Sequence, residues 1–212
     1  MWRIKVAHLG NDRYQRATLS LVGREQTILQ AAADAFYEKG FHGVSVDELG
    51  RRAGLSGPAL YRSFSGKDEI LACLLNEAMD ELMSATVPVH DDPALDLDRA
   101  IRHHIDFALR KSSLVNLYQR EVRSLVDPWK RPFHRRRQLY CERWDELFLR
   151  RSPHLDEATA AVATQTTLGT IFSIPYWPGR LQRSGDVTGQ LLALLAHGHA
   201  SLDAVRAPVP PA

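Results

Sequence analysis

Gly54-Leu55-Ser56-Gly57-Pro58 begins like a nucleophile elbow, the turn that exposes a serine hydroxyl for acyl transfer, but proline stands where that motif closes on glycine. No strand-to-helix junction is predicted there either. The nine histidines fare no better as metal ligands. His103-His104 and His197-Gly198-His199 put their rings on different helix faces, whereas two ligands on a helix meet at i, i+4 spacing. No phosphate loop, dinucleotide fingerprint or zinc-protease motif occurs, so neither an enzyme, a cofactor nor a metal is expected. Cys73 and Cys141 sit far apart in different predicted helices, without flanking residues that depress a thiol pKa. They read as small buried hydrophobes in a reducing compartment. Recognition chemistry is what remains: hydroxyl, phenol and cationic side chains between Ser45 and Lys67, and an arginine, Arg137, inside an apolar stripe.

The first of these groups lies among the start and stop signals of four helices. Ile28, Ala31, Ala32, Ala35 and Phe36 recur at helical spacing, and Lys39-Gly40 ends that helix with a cation and a residue that tolerates left-handed geometry. Ser45 with Glu48 fits a capping box for a second helix. Gly54 can take the positive φ of a sharp turn, Ser56 can cap a third helix of about two turns, and Pro58 falls in its first turn. Ser65 with Asp68 repeats the capping pattern ahead of a long amphipathic helix carrying Ile70, Leu71, Leu74, Leu75, Ala78, Met79 and Leu82. Leu49, Ala53, Leu55, Leu60 and Phe64 close a small core. The middle pair is a helix-turn-helix, whose dominant use is to present its second helix to the major groove of DNA.

The stretch from Gly54 to Phe64, followed by Ser65-Gly66-Lys67-Asp68-Glu69, resembles the tetracycline-repressor (TetR/AcrR) family of transcription regulators over about residues 24–75. Helix lengths, glycines, caps, the Leu60-Tyr61 pair and Lys67 all fall in family order. The chain departs at Ser63, where the family commonly has histidine, so no contact is carried over to that position. The resemblance implies an all-α protein with an N-terminal three-helix helix-turn-helix DNA-binding domain and a helical bundle that binds an effector and dimerises. It also implies repression, because most of the family acts by occluding DNA. A homodimer is then expected to set its reading helices, residues 56–63, into successive major grooves of a roughly palindromic operator. Ser45, Ser56, Tyr61 and Lys67 are expected to hold phosphates, with Arg62 and Tyr61 supplying sequence-dependent contacts. The bare turn Gly57-Pro58-Ala59 is suited to apolar contact with thymine methyls.

At 212 residues and 44% hydrophobic, the chain can bury a substantial core, while a formal charge of +2 is too small to imply a nucleic-acid partner by itself. The expected organisation is an N-terminal extension at 1–22, a DNA-binding domain at 23–70, an effector-binding and dimerisation domain at 71–205, and a tail at 206–212. Arg3, Lys5, Arg13 and Arg16 make the extension basic, either as an arm on the phosphate backbone or as a solvated tail. With neither a signal-peptide core nor a run long enough to span a bilayer, a cytoplasmic location without membrane contact is expected.

Beyond Pro93 the pattern predicts helices at about 94–111, 113–125, 130–151, 155–176 and 186–204. Leu114, Tyr118, Val122 and Leu125 form one stripe, and Phe133, Tyr140, Trp144, Leu147 and Phe148 another, interrupted by Arg137. A buried guanidinium needs a carboxylate, for which Glu121 is the candidate, or an anionic ligand; alternatively Arg137 snorkels outward. The helix at 155–176 is rich in small and hydroxylated residues. These either leave a cavity, with Thr166, Phe172 and Trp177 facing a ligand, or permit close helix packing at a subunit interface through Ala163 and Gly169. Lys130 to Arg137 is the densest basic run, either a solvated face or a clamp for a phosphorylated effector such as an acyl-coenzyme A. The candidate ligand set is Tyr118, Glu121, Arg137, Trp144, Phe148, Thr166, Phe172 and Trp177. An apolar drug-like effector, no effector at all, or a helical protein-interaction module are the alternatives.

Overall fold

Gly40 and Gly54 have φ of 75° and 68°, and they are the positive-φ residues among those described in this computed structural model. Each reverses the chain where a helix ends, as only a residue without Cβ does cheaply. The structure describes residues 12–183 and 185–202, with side chains from Gly23 onward. All regular elements among them are helical, running α1 (Asp12–Lys39), α2 (Val46–Arg52), α3 (Gly57–Tyr61), α4 (Lys67–Ser84), α5 (Pro93–Arg110) and α6 (Ser112–Glu121). After α6 come a 3-10 turn (Val122–Ser124), α7 (Lys130–Arg151), α8 (Glu157–Phe172), a second 3-10 turn (Ile174–Tyr176), α9 (Gly179–Gln182) and α10 (Val187–Ser201). The backbone of α1 starts at Asp12, within the stretch expected to precede the head, while the basic side chains of residues 1–22 and the expected tail at 206–212 lie outside the described residues. No helix among the described residues is long and apolar enough to cross a membrane.

The helix ends differ from expectation where a charge outcompetes a neutral cap. Ser45 Oγ accepts from the Glu48 N–H at 3.2 Å, but the Glu48 carboxylate turns away to Lys39 at 2.6 Å and Arg52 at 3.2 Å, so the capping box is half made. Ser56 makes no side-chain cap, because Pro58 has no N–H to offer and the Ala59 N–H already donates to the Ser56 carbonyl at 2.9 Å. Ser65 pairs with Glu69 rather than Asp68, through its N–H at 2.6 Å and its hydroxyl at 2.8 Å. The expected helix at 155–176 stops at Phe172, since Pro175 can neither donate to the ladder nor fit the following turn.

Burial follows the helical periodicity. Ile28, Ala32, Leu49, Leu60, Ile70 and Leu71 are fully buried and join α1 to α4 in a small head, each large side chain contributing about 1.5–3 kcal/mol. That core is continuous with the bundle, whose centre is Ile101, Phe107, Phe133, Trp144 and Phe148. Asp96 is the buried anchor at the far end of the bundle. Its carboxylate accepts from the Val89 N–H at 2.9 Å, the His90 N–H at 3.1 Å and Arg150 at 3.2 Å. Burial alone would raise its pKa, but these hydrogen bonds hold it well below the usual carboxylate range. Cys73 and Cys141 are half-buried free thiols; burial pushes Cys73 up to about 11 and raises Cys141.

Candidate DNA-contacting face and ligand pocket

The turn at Gly54 sets α3 on the outside of the head, held by Ala59 and Leu60 underneath. Tyr61 is 56% exposed and Arg62, Ser45, Ser56 and Pro58 are exposed beside it, whereas Gly57 is half-buried. Two expected contacts are redirected. Ala59 is 7% exposed and packs inward, because the third residue of this short helix faces the head's core; its methyl is turned away from the outer face. Lys67 donates to the carbonyl oxygens of Phe41 at 3.1 Å and Val44 at 3.2 Å, with its ammonium 4.6 Å from the Phe41 ring centroid. A cation read as a phosphate ligand therefore braces the loop between α1 and α2. Arg51 is exposed on the last turn of α2, a position the sequence reading did not single out. Arg52 next to it is occupied: hydrogen bonding to Glu38 raises its pKa, and Arg52 in turn lowers that of Glu38.

Inside the bundle, α4, α5, α6, α7 and α8 enclose a cavity of about 190 Å³. Its apolar lining includes Leu75, Met79, Leu82, Phe107, Leu114, Phe133, Leu168 and Phe172, and its polar lining is Tyr118, Gln119, Arg137, Tyr140 and Gln165. Arg137 is exposed at the rim. Burial raises the pKa of the Tyr118 hydroxyl, opposed by the adjacent Arg137 guanidinium. Arg137 thus follows the outward reading rather than the buried one: it meets solvent while bordering the cavity.

Of the expected ligand set, Tyr118, Arg137 and Phe172 line this cavity. The other five do not. Glu121 does not pair with Arg137; it is 8% exposed at the end of α6, accepting from the Phe41 N–H at 3.2 Å and the Ser124 hydroxyl at 3.1 Å. Trp144 and Phe148 belong to the second half of the α7 stripe, which packs on the bundle core: Trp144 meets His104 at 4.8 Å and Phe148 meets His199 at 4.8 Å. Thr166 is exposed on the outside of α8, while Gln165, Leu168, Gly169 and Phe172 share the cavity face at i, i+3, i+4, i+7. The Trp177 indole N–H donates to Ser173 Oγ at 3.0 Å. Gly169, read as an interface residue, lines the cavity instead, and Ala163 is buried within the subunit. In the basic run, Arg136 is held by Asn76 and Asp80, whereas Arg131 stays exposed 3.4 Å from Asp127.

Residues 28–74, which form the head, match the family model of bacterial regulatory proteins, tetR family. The HTH-type transcriptional activator FasR of Mycolicibacterium smegmatis is 39% identical over 75 residues, 35% of this chain and 33% of that protein. The chain thus aligns with about a third of the length of the curated relatives it matches. Over the whole fold it is similar to AibR in complex with isovaleryl coenzyme A and operator DNA, with a TM-score of 0.70, 21% identity, and 82% and 97% of the two chains covered. It is likewise similar to the ketosteroid transcriptional regulator KstR2 of Mycobacterium tuberculosis, with a TM-score of 0.70, 21% identity, and 92% and 98% covered. At those identities the two structures establish the shared fold. The head is thus similar to bacterial regulatory proteins of the tetR family over residues 28–74, and the helical bundle that follows it shares the fold of these two solved regulators.

Proposed function

We propose that this chain is a DNA-binding transcription regulator, a homodimer whose operator affinity is lowered by a small, largely apolar effector with an anionic end. The observation that carries the reading is a single helix, α6, serving two sites. Leu114, Tyr118 and Gln119 on α6 line the cavity, and Glu121 at its end holds the Phe41 amide in the loop that orients the head. An effector that fits one position of α6 better than the other shifts the head between two orientations in proportion to its differential affinity. On this reading Tyr61 and Arg62, both exposed, read bases, and the exposed Ser45 and Ser56 donate to phosphates.

Dimerisation is supported by the outer faces of α8 and α10, where Val162 is 65% and Leu194 71% exposed amid small residues. Apolar side chains so exposed on adjacent helices suit a second copy. The anionic end is supported by Arg137 at the rim, and AibR, which shares the fold, is solved with an acyl-coenzyme A and operator DNA.

A duplex selected from a random pool supplies the test, with titrations at several salt concentrations and calorimetry of acyl-coenzyme A thioesters against the matching free acids. Sequence-selective, salt-dependent binding that weakens with the acid or thioester is expected. Absence of duplex selectivity would favour a protein-interaction module, and selectivity unaffected by any acid would leave a regulator without an effector.

A further inference from the structure

Asp47 stands exposed in the first turn of α2, and among the described residues no hydrogen bond or ion pair reaches its carboxylate. Its neighbours are engaged differently. Glu48 is held by Lys39 at 2.6 Å and Arg52 at 3.2 Å, while Arg51, one turn further along α2 and also exposed, forms no ion pair with Asp47. The packing of α2 on α3 fixes where the free carboxylate lies. Gly50 is buried, and a Cβ there would stand 3.2 Å from the Leu55 carbonyl oxygen and 3.9 Å from the Gly57 nitrogen, so α2 meets the start of α3 with backbone in near contact. One turn before Gly50, Asp47 reaches that start: its Oδ1 is 3.7 Å from where a Cβ on Gly57 would be. Glycine leaves that side of the carboxylate open.

Polar side chains on the outer face of α3 itself are confined to its trailing end. Tyr61 and Arg62 are exposed there, while Gly57, Pro58 and Ala59 carry no side-chain donor or acceptor. In a helix-turn-helix the leading residues of the second helix are the ones that approach base edges. We infer that Asp47, reaching across from α2, supplies the base contact that this leading turn lacks, accepting a hydrogen bond from the N4 amino group of a cytosine in each operator half-site. A carboxylate only accepts, so guanine O6 and N7 and thymine O4 repel it. Adenine presents its amino group beside the N7 acceptor, whereas cytosine presents a donor without one. Phosphates repel the carboxylate as well, so bringing it to DNA is favourable only where that donor is waiting, which makes Asp47 a selector rather than a source of affinity. The inference rests on the DNA-binding reading above and assigns one of its specificity contacts.

The full-length chain supplies the test, first selecting a duplex from a random pool and then binding a panel of single-base variants of that duplex. One position per half-site should demand cytosine, with any other base weakening the parent about tenfold or more. Asp47→Ala should accept all four bases there with nearly equal affinity, keep the parent's preferences at the remaining positions, and bind unrelated duplexes more tightly at low salt. Asp47→Asn should turn the preference at that position from cytosine to adenine, because an amide offers the donor and acceptor that match adenine N7 and N6. Both variants should unfold close to the parent's temperature, since Asp47 has no partner to lose among the described residues. A panel profile unchanged in Asp47→Ala, even with a higher overall affinity, would overturn the assignment and leave the DNA-binding reading in place. Failure of the parent to select any duplex would remove both.

Discussion

Replacing Glu121 tests the joint between bundle and head. Its carboxylate accepts from the Phe41 N–H at 3.2 Å and from the Ser124 hydroxyl at 3.1 Å, and the residue is 8% exposed. In Glu121→Ala the Ser124 hydroxyl keeps a partner, His42 Nε2 at 3.2 Å, whereas the buried Phe41 amide is stranded. One stranded buried donor costs about 1–3 kcal/mol, and the middle of that range lowers the unfolding midpoint of a chain this size by roughly 4–8 °C. Glu121→Gln keeps an oxygen at the amide and should lose less than about 1 kcal/mol, the difference between a charged and a neutral acceptor. Hydrogen exchange at Phe41 gives the local readout: protection falls in the alanine variant and persists in the glutamine variant. Operator titrations should then show that Glu121→Ala binds DNA more weakly and responds less to effector, because α6 no longer holds the head. An alanine variant with full Phe41 protection and an unchanged effector response would refute the reasoning.

Lys67→Ala should lower stability by about 1–2 kcal/mol through loss of the two carbonyl contacts, yet leave the slope of log affinity against log salt unchanged; a slope reduced by about one would restore Lys67 as a phosphate ligand. Arg62→Ala should relax preference at particular operator positions by about 1–3 kcal/mol, as seen in binding to a panel of single-base variants, and a uniform loss across the panel would make it a phosphate contact. Asp96 has its folded pKa depressed, so its contribution is complete above the unfolded carboxylate pKa of about 3.9 and is lost as pH falls through the folded value. Acid titration of stability should accordingly be steeper below about pH 4 in the parent than in Asp96→Asn, and parallel curves would count against a depressed carboxylate.

Local signals in the chain determined the head almost completely. Gly40 and Gly54 mark reversals that need positive φ, Pro58 marks a first turn, and apolar spacing marks the buried faces, because each depends on a residue's own conformational limits and its near neighbours in sequence. The bundle helices were legible for the same reason, to within a few residues at α5 and α7. Which side chains face the cavity was not. Arg137 and Trp144 share one α7 stripe, but whether a position meets a void, a packed core or solvent depends on which helix crosses there, and that choice is made by packing among distant segments. The same holds for cations and carboxylates: by residue type Lys67 suits a DNA phosphate and Glu121 a ligand or Arg137, and tertiary structure delivers them instead to the loop at Phe41, where buried backbone groups need partners. Residue types thus determined what each side chain could bond, while the fold decided which partner arrived.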